Sequence, residues 1–193
     1  MENVSSLVEA SVSFNNLSFD YRWLELLKGL NGVKSFSAED KSLLYMKTPI
    51  FSRSSWPIFP NLKRLELKGF RDSGLIPQFL ESCPKLKHLC IEKVEGRLCK
   101  RENLLESSWI EPRFVPACMV TNLTTIELSK FIGRICDVQF LEYMLRNAEV
   151  LESLKIAWEN LCLEEAMFCE WLLAVPRASR HCEIHFLGSG SPK

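Results

Sequence analysis

Apolar residues recur along this chain in one short pattern, in which the first, fourth and sixth positions are apolar and most of the others are polar. In the second half of each copy, apolar and polar residues alternate, which is the period of a β-strand that buries one face. Each copy therefore predicts a short strand. The copies are Leu7/Ala10/Val12, Val33/Phe36/Ala38, Leu62/Leu65/Leu67, Leu86/Leu89/Ile91, Leu123/Ile126/Leu128, Leu151/Leu154/Ile156 and, weakly, Ser179/Cys182/Ile184.

Between these strands the apolar residues follow a helical spacing. The stripes are Trp23, Leu24, Leu27 and Leu30; Leu75, Phe79 and Cys83; and Val138, Leu141, Leu145 and Ala148. The seven copies start 26, 29, 24, 37, 28 and 28 residues apart, which is room for one strand and one return segment per step. We therefore predict an α/β fold, a leucine-rich-repeat solenoid or horseshoe with a parallel concave sheet and convex helices.

Two of the helices are predicted in more detail. Asp137 stands where an N-cap is expected, and Glu142 and Arg146 lie four residues apart on the exposed side. Another helix is predicted from Glu164 to Leu173. Its apolar stripe is formed by Phe168, Trp171 and Leu172.

Two segments interrupt the repeat. Residues 48–60 contain Pro49, Pro57 and Pro60 among large apolar side chains, which predicts a packed extended return rather than a helix. The longest step contains a polar insertion within Lys93–Cys118, for which we predict a surface loop, so its basic residues Arg97, Lys100 and Arg101 are expected to be solvated.

The composition limits the classes of partner that we expect and indicates where in the cell the protein is located. Lys plus Arg and Asp plus Glu each number 24, so no net field attracts nucleic acid or an anionic membrane. No run of apolar residues is long enough to span a membrane, and the first 13 residues do not resemble a signal peptide. We therefore expect a folded protein of the cytoplasm or nucleus, with neither nucleic acid nor membrane among its partners.

The cysteines and histidines do not predict a metal, cofactor or catalytic site. The eight cysteines include no Cys-x-x-Cys pair, and a cell interior keeps thiols reduced, so most are expected to be small core residues. His181, Glu183 and His185 alternate along a predicted strand, but no further ligand is visible, which favours a solvated polar face over a metal site. Nucleotide-binding and hydrolase motifs are missing from the sequence, so we do not expect an enzyme.

The predicted strands also indicate which residues are available for binding. Successive side chains on a strand point to opposite faces, so the residues between the inward positions point to the concave face. They are polar and of mixed sign, which suits a protein or peptide ligand, although a merely solvated surface is the alternative. The candidate binding residues are Arg64, Glu66, Lys68, His88, Glu92, Thr125, Glu127, Lys155, His181, Glu183 and His185.

Four runs in the second half of the chain resemble a known domain. WIEPRFVPAC at 109–118, LTTIEL at 123–128, LRNAEVL at 145–151 and PRASRHCEIHF at 176–186 are similar to the FBD domain of the plant F-box/FBD/LRR-repeat family. SLVEASVSF, LLKGLNGVKSFS, FPNLKRLELKG and LESCPKLKHLCIEK resemble that family's repeats. The resemblance implies repeats over 1–93, a junction loop over 94–108 and an FBD domain over 109–187 that caps the solenoid. The composition of residues 188–193 predicts a disordered tail.

The resemblance also implies a function. Proteins of this family are substrate-recruiting subunits of SCF-type ubiquitin ligases, in which an F-box docks on a Skp1-like adaptor and the repeats hold the target protein. This sequence opens inside a repeat at Leu7, so we expect adaptor docking only if an F-box lies upstream. The alternative is a stand-alone structural or decoy interaction protein, or a truncated gene product, with no role in ubiquitination.

Overall fold

A single parallel sheet organises the described part of the chain, which in this computed structural model comprises residues 8–14, 27–40, 57–70, 76–93, 109, 111–158 and 161–187. The strands are β1 (Glu9–Phe14), β2 (Ser35–Asp40), β3 (Arg64–Phe70), β4 (His88–Lys93), β5 (Thr125–Ser129), β6 (Ser153–Ala157) and β7 (Glu183–Leu187). They lie side by side in chain order, and every neighbouring pair is parallel. The helices are α1 (Ile76–Ser82), α2 (Ala117–Thr121), α3 (Ile135–Asn147) and α4 (Glu165–Ala174). The predicted α/β solenoid is confirmed.

The repeats are in register because the same backbone hydrogen bond precedes successive strands. The amide of Lys34 donates to the carbonyl of Val8 at 2.8 Å, that of Lys63 to Lys34 at 2.7 Å, and that of Lys87 to Lys63 at 2.8 Å. This ladder continues through Thr124 and beyond, and it aligns the inward side chains of adjacent strands. The aligned inward residues are Phe36, Leu65, Leu89, Ile126 and Leu154, each at most 1% exposed.

The last strand departs from its predicted register by two residues. Leu154 lies beside Ile184, whereas the sequence pattern placed Cys182 at that position. A shift by two keeps every side chain on the same face of a strand, so hydrophobic alternation could not detect the difference. His181 consequently falls in the turn before β7.

Helix α3 begins two residues before the position predicted for its N-cap. Its N-cap is Arg134, and Asp137 is the third helical residue, so the predicted role of Asp137 is wrong. The Asp137 carboxylate instead accepts a hydrogen bond from the Arg134 amide at 3.3 Å. The predicted pairing on the exposed side is confirmed, with 2.6 Å between Arg146 Nη2 and Glu142 Oε1.

Aromatic side chains fill the C-terminal half of the core. Phe168 of α4 packs on Phe131 at a ring-centroid distance of 5.3 Å and on Trp158 at 5.9 Å. Trp158 also contacts Phe186 of β7, so strand, connection and helix share one cluster. Outside this cluster, Trp109 packs against α3.

Several predicted features fall wholly or partly outside the described residues. They include Trp23, Leu24 and Leu75 of the helical stripes, most of 48–60, most of the insertion before α2, and the tail. Within the proline-rich segment 48–60, Pro57 and Phe59 are described and both are buried. Residues 57–59 form no helix or strand. None of the helices within the described ranges is long and apolar enough to cross a bilayer.

The cysteines mostly behave as small core residues. Cys83 and Cys118 are fully buried free thiols, and burial raises the pKa of both, that of Cys118 to about 12. Cys162 differs from them because it is exposed and disulfide-bonded. The expectation that the thiols stay reduced is therefore wrong at this position.

Candidate binding surface on the concave face

The side chains opposite the core form three rows across the sheet, which we call the concave face. Each row takes one residue from every strand, because the strands pair in register. The first row is Glu9, Ser35, Arg64, His88, Thr125, Ser153 and Glu183; the second is Ser11, Ser37, Glu66, Cys90, Glu127, Lys155 and His185; the third is Ser13, Glu39, Lys68, Glu92, Ser129, Ala157 and Leu187. All predicted binding residues except His181 lie in these rows.

The charges at the centre of the concave face are arranged as ion pairs. Each pair joins a glutamate of the face to a lysine on the same or a neighbouring strand, or just after it. The measured distances are 3.6 Å for Glu66–Lys68, 2.9 Å for Glu92–Lys130 and 3.0 Å for Glu127–Lys155. All six side chains remain between 31% and 47% exposed, so each pair contributes at most about 1 kcal/mol to stability.

Lys130 was not predicted as part of this surface. It follows β5 and has a backbone φ of 53°, the left-handed region that a non-glycine residue seldom adopts. This conformation ends the strand and accompanies the contact with Glu92. The alternation of the strand does not extend to a residue beyond its end, so the sequence pattern gave no signal for Lys130.

Glu127 is the most connected carboxylate of the face. A hydrogen bond from Lys155 is the main reason why its pKa lies below the usual value, and the charges of Lys155 and Arg64 act in the same direction against the effect of burial. The Cys90 thiol lies 3.8 Å from the same carboxylate. Glu127 is therefore an anion at neutral pH.

His88 is held as a neutral hydrogen-bonding group. Its Nδ1 atom lies 2.6 Å from the Thr125 hydroxyl on the next strand. Burial, and then the positive charges of Arg64 and Lys87, lower the pKa of His88 below 6.5. At neutral pH the first row therefore presents a cation at Arg64 beside an uncharged imidazole.

A shallow depression of about 180 Å³ lies across strands β3 to β7. Arg64 and Glu66 line one end, Glu127 and Lys155 line the middle, and Ala157 and Leu187 supply apolar surface at the other end. Leu187 is 44% exposed, and the shifted register of β7 brings it into the third row.

The described residues contain no group of three or more potential metal ligands. His185 Nε2 and Glu183 Oε2, from two members of the predicted polar group on β7, lie 3.5 Å apart. The chemistry available on the concave face is therefore hydrogen bonding, charge pairing and limited apolar contact.

Comparison with known proteins indicates the class of protein to which this chain is similar. The FBD domain model matches residues 111–156, which lie inside the segment predicted to be an FBD domain. A putative F-box/FBD/LRR-repeat protein of Arabidopsis thaliana is 26% identical over 97% of this chain. An FBD-associated F-box protein and another F-box/FBD/LRR-repeat protein of the same plant are 33% and 31% identical over 66% and 58% of the chain.

Fold and matches together define a leucine-rich-repeat interaction module. The chain is similar to proteins of the plant F-box/FBD/LRR-repeat family, as its sequence motifs indicated. It spans 41%, 27% and 26% of the lengths of these three relatives, so what the whole proteins do is not carried over directly. No solved structure shows a significant match.

Proposed function

We propose that the concave face binds a target protein and that the chain is the substrate-recruiting part of an SCF-type ubiquitin ligase subunit. The observation that supports target binding is the set of charged and hydrogen-bonding side chains on β3 to β6, which the sheet holds in register. A rigid sheet lowers the entropic cost of binding, because the contacting strands are already ordered. The names of the relatives support the role in a ubiquitin ligase.

Binding rather than catalysis fits the side chains of this surface. The carboxylates are paired with lysines, and burial raises the pKa of the Cys90 thiol, so that it is protonated at neutral pH. A nucleophilic cysteine needs a lowered pKa. Cys90 is therefore better suited to packing beneath a bound segment than to covalent chemistry.

Photo-crosslinking tests the binding surface directly. A benzophenone amino acid replaces Thr125 on the concave face in one variant and Glu142 on the outer side of α3 in the control. In plant cell extract, the variant at Thr125 should capture a discrete protein that the variant at Glu142 does not. Capture of the same proteins from both positions, or of none from Thr125, would count against the concave face as the binding surface.

The ligase role needs a separate test. The F-box segment of an Arabidopsis relative is joined to this chain, and the chimera is added to a reconstituted ligase together with the captured protein. We expect the captured protein to be ubiquitinated, and Thr125→Arg, which places a bulky charge on the concave face, to abolish the modification. Binding without ubiquitination would favour the stand-alone interaction protein.

The compartment is part of the same proposal. We place the protein in the cytoplasm or nucleus, where ubiquitin ligases of this type act, and a fluorescent fusion in plant cells tests this location. Fluorescence confined to the secretory pathway would contradict this location; that is also a compartment in which the disulfide at Cys162 would persist.

A further inference from the structure

The charges around the depression on the concave face do not cancel completely. Glu66, Glu92 and Glu127 each have a lysine partner, as described above. Within the described part of the chain, the Arg64 guanidinium forms neither an ion pair nor a hydrogen bond, although it lines the same depression. Lys68 and Lys130 pair with glutamates of the depression without lining it, and when they are counted, four cations stand beside three carboxylates. Arg64 is the cation that remains without a close carboxylate in the described residues.

The neighbours of Arg64 favour an anion at this point. Ser35 and His88 flank it in the first row, and Thr125 follows, so its immediate neighbours in the row are uncharged. The other carboxylates of the face, Glu9, Glu39 and Glu183, are about 10 Å or more away, given the spacing of strands and residues. A guanidinium offers two parallel N–H donors, which match the two oxygens of a carboxylate.

The far end of the depression favours a different kind of side chain. Ala157 and Leu187 end the third row and line this end of the depression with apolar side chains. From Arg64 to this end the distance is roughly 20 Å, which an extended chain covers in about six residues. A ligand that uses both ends is therefore a short extended segment.

We propose that Arg64 receives the carboxylate of an aspartate or glutamate in an extended segment of a protein partner, and that an aliphatic side chain about six residues away packs on Ala157 and Leu187. This inference rests on the proposed binding function and specifies the partner. A phosphorylated residue fits less well, because its charge of nearly −2 meets only one excess cation among three carboxylates.

A random dodecapeptide library displayed on phage, selected against the full chain, tests the proposal. We expect enrichment of peptides in which Asp or Glu lies five to seven residues from Leu, Ile or Val. The affinity of an enriched synthetic peptide is then measured by fluorescence anisotropy. Arg64→Gln should weaken binding about tenfold or more, and Arg64→Lys less, because lysine keeps the charge but loses the paired donors.

The matched control is Arg146→Gln, which removes an exposed arginine on the outer side of α3 and should change the affinity less than about twofold. Selected peptides without an enriched carboxylate, equal affinity for wild type and Arg64→Gln, or failure to select any peptide would overturn the inference. If selected peptides that lack a carboxylate, or that bind Arg64→Gln as tightly as wild type, still compete with the protein captured at Thr125, the proposed binding function stands. Only the role of Arg64 is then refuted. If the captured protein itself fails to bind the concave face, both fall.

Discussion

The two faces of the same central strands differ sharply in what their side chains contribute. On the inward face, Leu65, Leu89, Ile126 and Leu154 are 0% exposed. On the concave face, the paired charges keep between 31% and 47% of their surface in solvent. Full burial of one leucine is worth about 1.5–3 kcal/mol, whereas an exposed ion pair is worth at most about 1 kcal/mol. The inward face therefore stabilises the fold and leaves the concave face available for recognition.

One charged pair lies on the inward side rather than on the concave face, and its disruption should have the largest effect on stability. Lys93 ends β4 on the inward side, and its Nζ lies 2.8 Å from Asp137 Oδ1 of α3, with 4% and 3% of the two side chains exposed. Asp137→Ala removes the carboxylate that lies 2.8 Å from this buried ammonium, so we expect a loss of about 3–5 kcal/mol in the free energy of unfolding. Urea denaturation measures it.

The control for this prediction is Glu142→Ala, which breaks the exposed pair with Arg146 on the same helix and should cost less than about 1 kcal/mol. Joint replacement of Lys93 by Met and Asp137 by Leu should recover much of the stability, because it removes both buried charges. Similar losses for Asp137→Ala and Glu142→Ala would show that the buried pair is not special.

The next effect compares the two faces within adjacent strands. Leu154→Ala should cost about 2–5 kcal/mol through lost burial and a cavity, and alanine at Leu65, Leu89 or Ile126 should act alike. Glu66→Ala or Glu127→Ala should change stability by less than about 1 kcal/mol. Denaturant melts of these variants decide the matter, and equal effects on the two faces would refute the register.

A smaller effect concerns the charge pair at the centre of the concave face. The Lys155 hydrogen bond lowers the pKa of Glu127 below 4.5, so the associated stability is present above this value and is lost as the pH falls through the lowered pKa. Lys155→Met should raise the Glu127 pKa, measured by NMR of the carboxyl carbon, and should cost at most about 1 kcal/mol near neutral pH. An unchanged pKa would contradict the pairing.

The smallest effect tests where Arg64 points. Burial and the Arg64 charge hold the pKa of His88 below 6.5, so protonation favours the unfolded chain and stability decreases as the pH falls below 6.5. In Arg64→Gln, NMR titration of the imidazole should show a higher His88 pKa, whereas Arg146→Gln should leave it unchanged. If the His88 pKa is the same in the wild type, Arg64→Gln and Arg146→Gln, the Arg64 guanidinium does not lie near the imidazole.

Local periodicity was sufficient to predict the strands and their faces. Alternation of apolar and polar residues is a property of each strand by itself, so β2 to β6 and their inward residues could be predicted without knowledge of the rest of the fold. The register of β7 could not, because a shift by two residues preserves the alternation around Cys182, Ile184 and Phe186.

Other features depend on contacts between distant segments. Asp is favoured both as an N-cap and within the first turn of a helix, so residue preference alone did not distinguish the two roles of Asp137. Lys93 occupies an inward position of β4, and a charge there signals a buried partner without identifying it. Lys130 lies beyond its strand, and only the fold brings it to Glu92.

The central claim is that stability and recognition are carried by opposite faces of the same strands. The most direct measurement is an alanine scan of both faces with two readouts, the free energy of unfolding and the affinity for the protein captured at Thr125. We expect Glu66, Glu127 and Lys155 variants to lose affinity while they keep their stability, and Leu65 and Leu154 variants to lose stability while the folded fraction binds normally. Concave-face variants that bind as tightly as the wild type would contradict the claim.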